Sequence, residues 1–200
     1  MLSDDIESAI YDDNQIKNRT YENEISTGEE LSDIEFQNIC FVKCRFQKCD
    51  FSKCAFYNVK FVQCDLSNCN FTDSYWKGSS VADCKCDGGK FNNSVFKEIE
   101  MSSNSFRFAN FVKSNFEKCQ IKSSIFSDSC MSEVQFKKIV LFESDFSSVD
   151  FFRTKLAGLD FSDSIIDGIT ISESFTEIKG MKINTVQAVD IAKLMGLTIV

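Results

Sequence analysis

The amino-acid sequence predicts an all-β solenoid, a chain wound into stacked coils, followed by a short C-terminal α-helix. Three observations predict it. An apolar residue recurs at every fifth position from Leu31 to Ile171, a second uncharged class lies two residues earlier, and the last 21 residues leave this register. Repeats of fixed period indicate stacked units, because each unit buries its apolar side only against its neighbours.

The two classes of position separate sharply from the charged residues. The central class has 29 positions, all of them apolar, and it holds 17 of the 21 phenylalanines. The class two residues earlier, from Ile34 to Ile169, contains no charged and no aromatic residue. All 34 charged residues between 34 and 171 avoid both classes, so both are predicted to face inward.

A period of five excludes the ordinary helix and the plain strand. Five helical steps rotate successive phenylalanines by roughly 140° and spread them around the axis. A shift of five also moves a side chain to the opposite face of a strand. The chain must therefore turn once per repeat, with two inward positions on a short extended segment and three residues at a solvent-facing corner. Stacked coils then share backbone hydrogen bonds at about 4.8 Å per coil.

The segment CRF-QK-CDF-SK-CAF, residues 44–56, resembles the pentapeptide-repeat family, with a large apolar residue at the centre and a small residue two before it. The resemblance covers residues 31 to about 175. It implies a right-handed quadrilateral β-helix with four pentapeptides per coil, about seven coils and a rod roughly 34 Å long. Coils of this length are expected to stack two interior columns, one with Phe51, Phe71, Phe91, Phe111, Met131 and Phe151, the other with Phe56, Trp76, Phe96, Phe116 and Phe136.

The ends of the chain depart from the repeat. Residues 1–30 are acidic and are predicted to form an irregular first coil or a partly disordered segment. Residues 31–175 form the repeat domain, and residues 176–200 a C-terminal helix and tail. A helix from about Thr185 to Met195 is predicted because Asn184 and Gln187 have the spacing of a capping box and Gly196 ends the helix.

This C-terminal helix is predicted to cap the open solenoid end or to join two copies, since a solenoid end exposes unpaired strand edges. The stretch is similar to the C-terminal segment of the Qnr-type quinolone-resistance proteins, a subgroup of the pentapeptide-repeat family. In that subgroup such a helix joins two rods end to end, so the resemblance implies a homodimer. The candidate dimerisation residues are Val186, Val189, Ile191, Leu194, Met195 and Leu197.

Several other residues invite a functional interpretation. Ten cysteines mostly follow the repeat and are predicted to be reduced, small buried groups, because coil neighbours point in parallel whereas a disulfide needs converging Cβ atoms. Residues 78–90 hold three of the eight glycines and indicate a loosely packed coil, or alternatively a functional loop. Phe142 and Phe152 fall on outward positions, either as scattered exposure or as part of an interface.

Composition excludes several classes of function. The chain has no histidine, no glycine-rich phosphate loop and no metal-ligand cluster, so no enzyme, cofactor or metal is expected. A net charge of -8 argues against direct nucleic-acid binding. The N-terminus lacks a signal-peptide pattern and no stretch is long and apolar enough for a bilayer, so a cytoplasmic protein is expected.

Charge is distributed unevenly along the predicted rod. Residues 36–140 carry 10 acids and 15 bases, whereas residues 141–177 carry eight acids and two bases. DNA mimicry over the whole rod fails, because a duplex of that length presents roughly 20 charges. Over the two coils of residues 141–177 the duplex equivalent is about five charges, which this segment supplies. The candidate partner-binding residues, here called the acidic belt, are Glu143, Asp145, Asp150, Asp160, Asp163, Asp167 and Glu173.

In the Qnr-type proteins an acidic rod resembles duplex DNA, engages DNA gyrase or topoisomerase IV and protects it from quinolones. The resemblance therefore implies a dimeric topoisomerase-binding protein. Three alternatives stay open. In the first, the acidic belt is only a solvated, solubilising surface. In the second, the solenoid binds an unrelated protein partner. In the third, the protein gives immunity against a gyrase-targeting toxin.

Overall fold

A computed structural model describes residues 1–11 and 14–199, which wind into a β-solenoid with a helix at each end. Both helices have ten residues, and most strands have three. The elements are α1 (Leu2–Tyr11), β1 (Gln15–Glu22), β2 (Ile25–Thr27), β3 (Glu35–Val42), β4 (Arg45–Gln47), β5 (Ala55–Tyr57), β6 (Lys60–Val62), β7 (Tyr75–Lys77), β8 (Ser80–Ala82), β9 (Val95–Lys97), β10 (Glu100–Ser102), β11 (Asn115–Glu117), β12 (Gln120–Lys122), β13 (Gln135–Lys137), β14 (Val140–Phe142) and α2 (Thr185–Leu194).

Strands pair in parallel with an offset of twenty residues, so each coil contains four pentapeptides. We number the four faces by one central residue each: Phe36 on face 1, Phe41 on face 2, Phe46 on face 3 and Phe51 on face 4. On face 1, seven strands from β1 to β13 are linked by six steps. On faces 3 and 4 successive coils are joined mostly by isolated parallel bridges with the same offset, for example between Asp65 and Lys85 and between Asp50 and Asn70. The predicted solenoid with four faces is confirmed.

The central side chains fill the interior as predicted. Of the 29 positions, 27 are buried, and only Phe136 and Ile171 are half-buried. On face 4 the rings of Phe51, Phe71, Phe91 and Phe111 stack with centroids 4.8–5.0 Å apart and planes within 7° of parallel. On face 1 the centroids of Phe56 and Trp76 are 4.0 Å apart. These columns provide dense apolar contacts along the rod.

The corners depend on a backbone conformation that the sequence analysis did not anticipate. The residue two places after most central positions has a positive φ, for example 53° at Lys43 and 56° at Lys48. Thirteen of the 29 residues at this spacing are Asn, Asp or Gly, which tolerate the left-handed region. Gly78 is one such corner, and a Cβ there would lie 2.7 Å from Oδ1 of Asn58. The stretch 78–90 is a regular coil that includes β8, not an open loop.

The first regular coil begins at Gln15, since β1 pairs with β3 in the common register. Below it, α1 covers the end of the solenoid with three buried side chains, Leu2, Ile6 and Ala9. The Tyr21 hydroxyl donates a hydrogen bond to Asp5 of this helix at 2.6 Å. The N-terminal strand edge is therefore covered by part of the chain itself.

The cysteines lie where small inward residues are needed. All ten are free thiols, eight are buried, and Cys40 and Cys130 are half-buried. The Cys54 thiol donates to the carbonyl of Leu31 at 2.9 Å, and burial raises the pKa of Cys54 to about 12. These thiols act as small packing groups, as the sequence predicted. None of the helices in the described residues has the length and apolar character to cross a bilayer.

Candidate interaction surface

The acidic belt lies on the outside of the last coils but does not form one flat patch. Glu143 and Asp163 are twenty residues apart and stack at the corner between faces 2 and 3, and Asp167 lies on face 3 beside them. Asp145 is also on face 3, so four of the seven acids come together. The other three surround the rod, with Asp150 on face 4, Asp160 on face 2 and Glu173 beyond face 4.

Some acids of the belt also hold the backbone, a role that the sequence analysis missed. Oδ1 of Asp160 accepts hydrogen bonds from the Ser162 amide at 3.1 Å and hydroxyl at 2.6 Å, and both bonds lower its pKa. Asp145 accepts the equivalent pair of bonds from Ser147. In an earlier coil Asn70 does the same without a charge. The spacing Asp/Asn-x-Ser/Thr, in which x is the central position, is the sequence signal for this turn.

One acid near the belt faces inward. Glu177 is 2% exposed, and its carboxylate accepts hydrogen bonds from the amide of Arg153 at 2.9 Å and the hydroxyl of Ser172 at 2.8 Å. These bonds, with one from its own backbone, outweigh the effect of burial and lower the pKa of Glu177. The remaining seven acids of residues 141–177 face solvent or are half-buried, against the two exposed bases Arg153 and Lys155. The outward charge of this segment is therefore -5.

The predicted C-terminal helix is confirmed as Thr185–Leu194, with Met195 as its C-cap. Its capping box is formed, since Asn184 Oδ1 accepts from the Gln187 amide at 2.9 Å and Gln187 Oε1 accepts from the Asn184 amide at 2.8 Å. Gln187 also donates through Nε2 to the carbonyls of Phe161 and Ser164 at 2.8 and 2.5 Å. One buried side chain thus both begins the helix and attaches it to the last coil.

The candidate dimerisation residues are largely uncovered. Four are exposed, and Val189 and Ile191 are half-buried. A cavity of about 300 Å³ lies between Ile191 and Leu194 of the helix and Ile166 and Ile169 of the last coil. The exposed members are Val186 at 74%, Leu194 at 37%, Met195 at 48% and Leu197 at 59%. Apolar surface of this kind is typical of an interface.

Comparison with known proteins supports the repeat assignment. Residues 34–73 match the family of pentapeptide repeats in 8 copies. The sequence matches no curated protein.

Three solved structures of QnrB1, a plasmid-mediated fluoroquinolone resistance protein, are similar in fold. One trypsin-treated form has a TM-score of 0.61 at 19% identity and covers 92% of this chain and 100% of its own. The full-length form has a TM-score of 0.51 at 17% identity and covers 89% and 100%. A second trypsin-treated form has a TM-score of 0.50 at 24% identity and covers 93% and 90%. Together with the twenty-residue coils and the filled interior columns, these matches show that residues 34–73 match the pentapeptide-repeat family and that the fold of the chain resembles that of QnrB1.

Proposed function

We propose that this protein binds a type II topoisomerase, DNA gyrase or topoisomerase IV, and protects it from fluoroquinolones or similar poisons. The observation that carries the proposal is the outward charge of the acidic belt on a rod with the fold of a fluoroquinolone resistance protein. The proposal places the protein in the cytoplasm with its target. The rod acts by binding alone, without catalysis.

The size of the charge fits a local contact. Residues 141–177 form about two coils, or roughly 9 Å of rod, over which duplex DNA presents about five negative charges. The outward charge of this segment is -5 after the inward Glu177 is set aside. A positively charged DNA-binding saddle attracts such a segment with little competition from the two nearby bases.

The proposal is tested by gyrase supercoiling in the presence of a fluoroquinolone. The variant Asp160→Asn, Asp163→Asn and Asp167→Asn removes three charges and is expected to abolish the rescue of supercoiling. Asparagine preserves the turn at position 160, because Asn70 makes the same bonds to Thr72. The loss is therefore electrostatic, and it becomes smaller as the salt concentration rises.

A matched control removes the same number of charges elsewhere. Asp73, Asp83 and Asp128 are exposed aspartates at corners with positive φ, a backbone conformation that asparagine also adopts. Their triple replacement by asparagine is expected to leave the rescue intact. Equal loss in both triple variants would show that total charge, not the acidic belt, matters. Absence of any rescue by the unaltered protein would overturn the proposal and favour an unrelated partner, and rescue from a peptide toxin alone would favour an immunity role.

We also propose that α2 and the residues after it join two copies end to end, which would place two acidic belts next to each other. The uncovered apolar side of the helix supports this. Light scattering is expected to show a dimer for the unaltered protein and a monomer for Val186→Glu with Leu194→Glu. The single variant Lys182→Glu changes the net charge by the same two units at an exposed lysine of the same end and serves as the control. A monomer before any substitution would refute the dimer.

A further inference from the structure

The backbone ladder is interrupted at one step near the C-terminal end of the rod. One step earlier, faces 1 and 2 are fully bonded. There the amides of Gln135 and Val140 donate to the coil below, both at 3.0 Å, and those of Lys118 and Ser123 donate to the coil above at 2.8 and 2.9 Å. This pattern repeats along the earlier coils. It defines which bonds the next step should contain.

At the next step the four equivalent bonds are missing. Within the described coils, the amides of Lys138, Glu143, Lys155 and Asp160 make no backbone hydrogen bond between residues 135–143 and 155–162. The strands β13 and β14 are accordingly the two ends of the sheet order. We call residues 135–143 the open edge.

Bonding resumes on both sides of the open edge. On face 4 the Glu133 amide donates to the carbonyl of Phe152 at 2.9 Å, and on face 3 the Ile165 amide donates to that of Ser144 at 2.9 Å. The coil above the open edge is bonded to the segment that follows it in the rod. The amide of Leu156 on face 1 donates to the carbonyl of Glu177 at 2.9 Å. The gap is therefore a wedge with bonded flanks.

The sequence contains a reason for the wedge. Leu159 is the only leucine in the inward class two residues before the centre, where most members are smaller or β-branched. It stacks above Ile139, which is half-buried, whereas the other members of this class in the solenoid are buried. Ile39 and Val59 stack in the same column with their coils bonded, so β-branched neighbours fit there, and the longer side chain of Leu159 distinguishes the step at which the bonds are missing.

The wedge has a basic and an apolar part. On face 1 a cavity of about 490 Å³ is lined by the half-buried ring of Phe136, by Val134 and Gln135, by the exposed acid Glu133 and by the exposed cations Arg153 and Lys155, so its lining has a net charge of +1. Lys138 lies exposed at the rim. Along face 2 the apolar side chains of β14 are uncovered, with Val140 at 58% and Phe142 at 43% exposed.

We propose that the open edge accepts an extended segment of a partner protein as an added β-strand. Unpaired amides and carbonyls of a strand edge bind such a segment through its backbone, and the pockets alongside select its side chains. Charge complementarity selects acidic residues opposite Lys138, Arg153 and Lys155, and apolar residues opposite Val140 and Phe142. The added strand occupies one further spacing of about 4.8 Å, so the two coils swing apart about their bonded flanks. The wedge uses the backbone amides of Glu143 and Asp160, whose carboxylates belong to the acidic belt, but the proposal does not rest on the proposed topoisomerase contact.

The test uses a fluorescent peptide of about eight residues, acidic in its first half and alternating valine and threonine in its second, long enough to follow both strands. Fluorescence anisotropy is expected to show binding of this peptide and not of its counterpart with lysines in place of the acids. Arg153→Glu with Lys155→Glu is expected to weaken binding by about tenfold or more. The control, Lys48→Glu with Lys53→Glu, changes two exposed bases far from the wedge and is expected to leave binding intact.

Two further measurements test the open edge without altering the charge of the wedge. Hydrogen exchange of the unaltered protein is expected to be fast at the amides of Lys138 and Glu143 and slow after peptide is added. Leu159→Ser restores a small inward residue, which is expected to close the wedge, slow the same amides without peptide and abolish binding. Slow exchange of these amides in the free protein, equal binding of both peptides, or equal loss in the Lys48 control would each overturn the proposal.

Discussion

Replacing Gln187 by alanine tests how the C-terminal helix is attached. Gln187 is 6% exposed and is the only buried residue of α2, so no apolar side chain of the helix shares its role. Its side chain makes three hydrogen bonds, one within the capping box and two to the last coil. At about 1 kcal/mol for each of the two bonds to the last coil, the substitution weakens docking of the helix by about 2 kcal/mol.

This energy corresponds to roughly a thirtyfold change in the equilibrium between docked and detached helix. The assay is hydrogen exchange at the amides of α2, with Val186→Ala on the exposed side of the same helix as control. The Gln187 variant is expected to lose protection of the α2 amides. The amides of the coils up to Phe151 are expected to stay protected, because the backbone hydrogen bonds between coils do not depend on the helix. If α2 exchanges as slowly as in the unaltered protein, the helix is held by something other than Gln187.

Two further predictions concern stability. Phe71 is fully buried between the parallel rings of Phe51 and Phe91, so Phe71→Ala is expected to lower the free energy of unfolding in urea by about 4 kcal/mol. Phe142 is 43% exposed, so Phe142→Ala is expected to lower it by less than about 2 kcal/mol. Similar effects of the two would contradict the stacked interior. The lowered pKa of Glu177 means that its ionised form stabilises the fold above the unfolded pKa of about 4.3 and that this contribution is lost as pH falls through the lower folded value. Glu177→Gln is therefore expected to be less stable than the unaltered protein at neutral pH, with the difference shrinking in urea titrations below about pH 4, and a difference independent of pH would contradict this.

Much of the fold is readable from the sequence because burial in a solenoid is strictly periodic. Each pentapeptide meets the same environment, so the central and preceding classes show their inward direction through composition alone, and this holds from Leu31 to Ile171. The capping box of Asn184 and Gln187 is local for the same reason, since its partners are three residues apart. The first coil was harder to predict, because Arg19 and Glu24 place charges in the class two residues before the centre, which is uncharged in the later coils.

What the tertiary structure alone decided depends on contacts between residues about twenty or more positions apart. Sequence spacing does not reveal that Glu177 turns inward to the Arg153 amide, or that Gln187 reaches the carbonyls of Phe161 and Ser164. Nor does it show that the ladder opens above β14, because the bulk of Leu159 matters only once it is stacked on Ile139. The sequence determines which side chains enter the rod, since that follows from local period, whereas the outward groups that remain free for a partner follow from the stacking of coils.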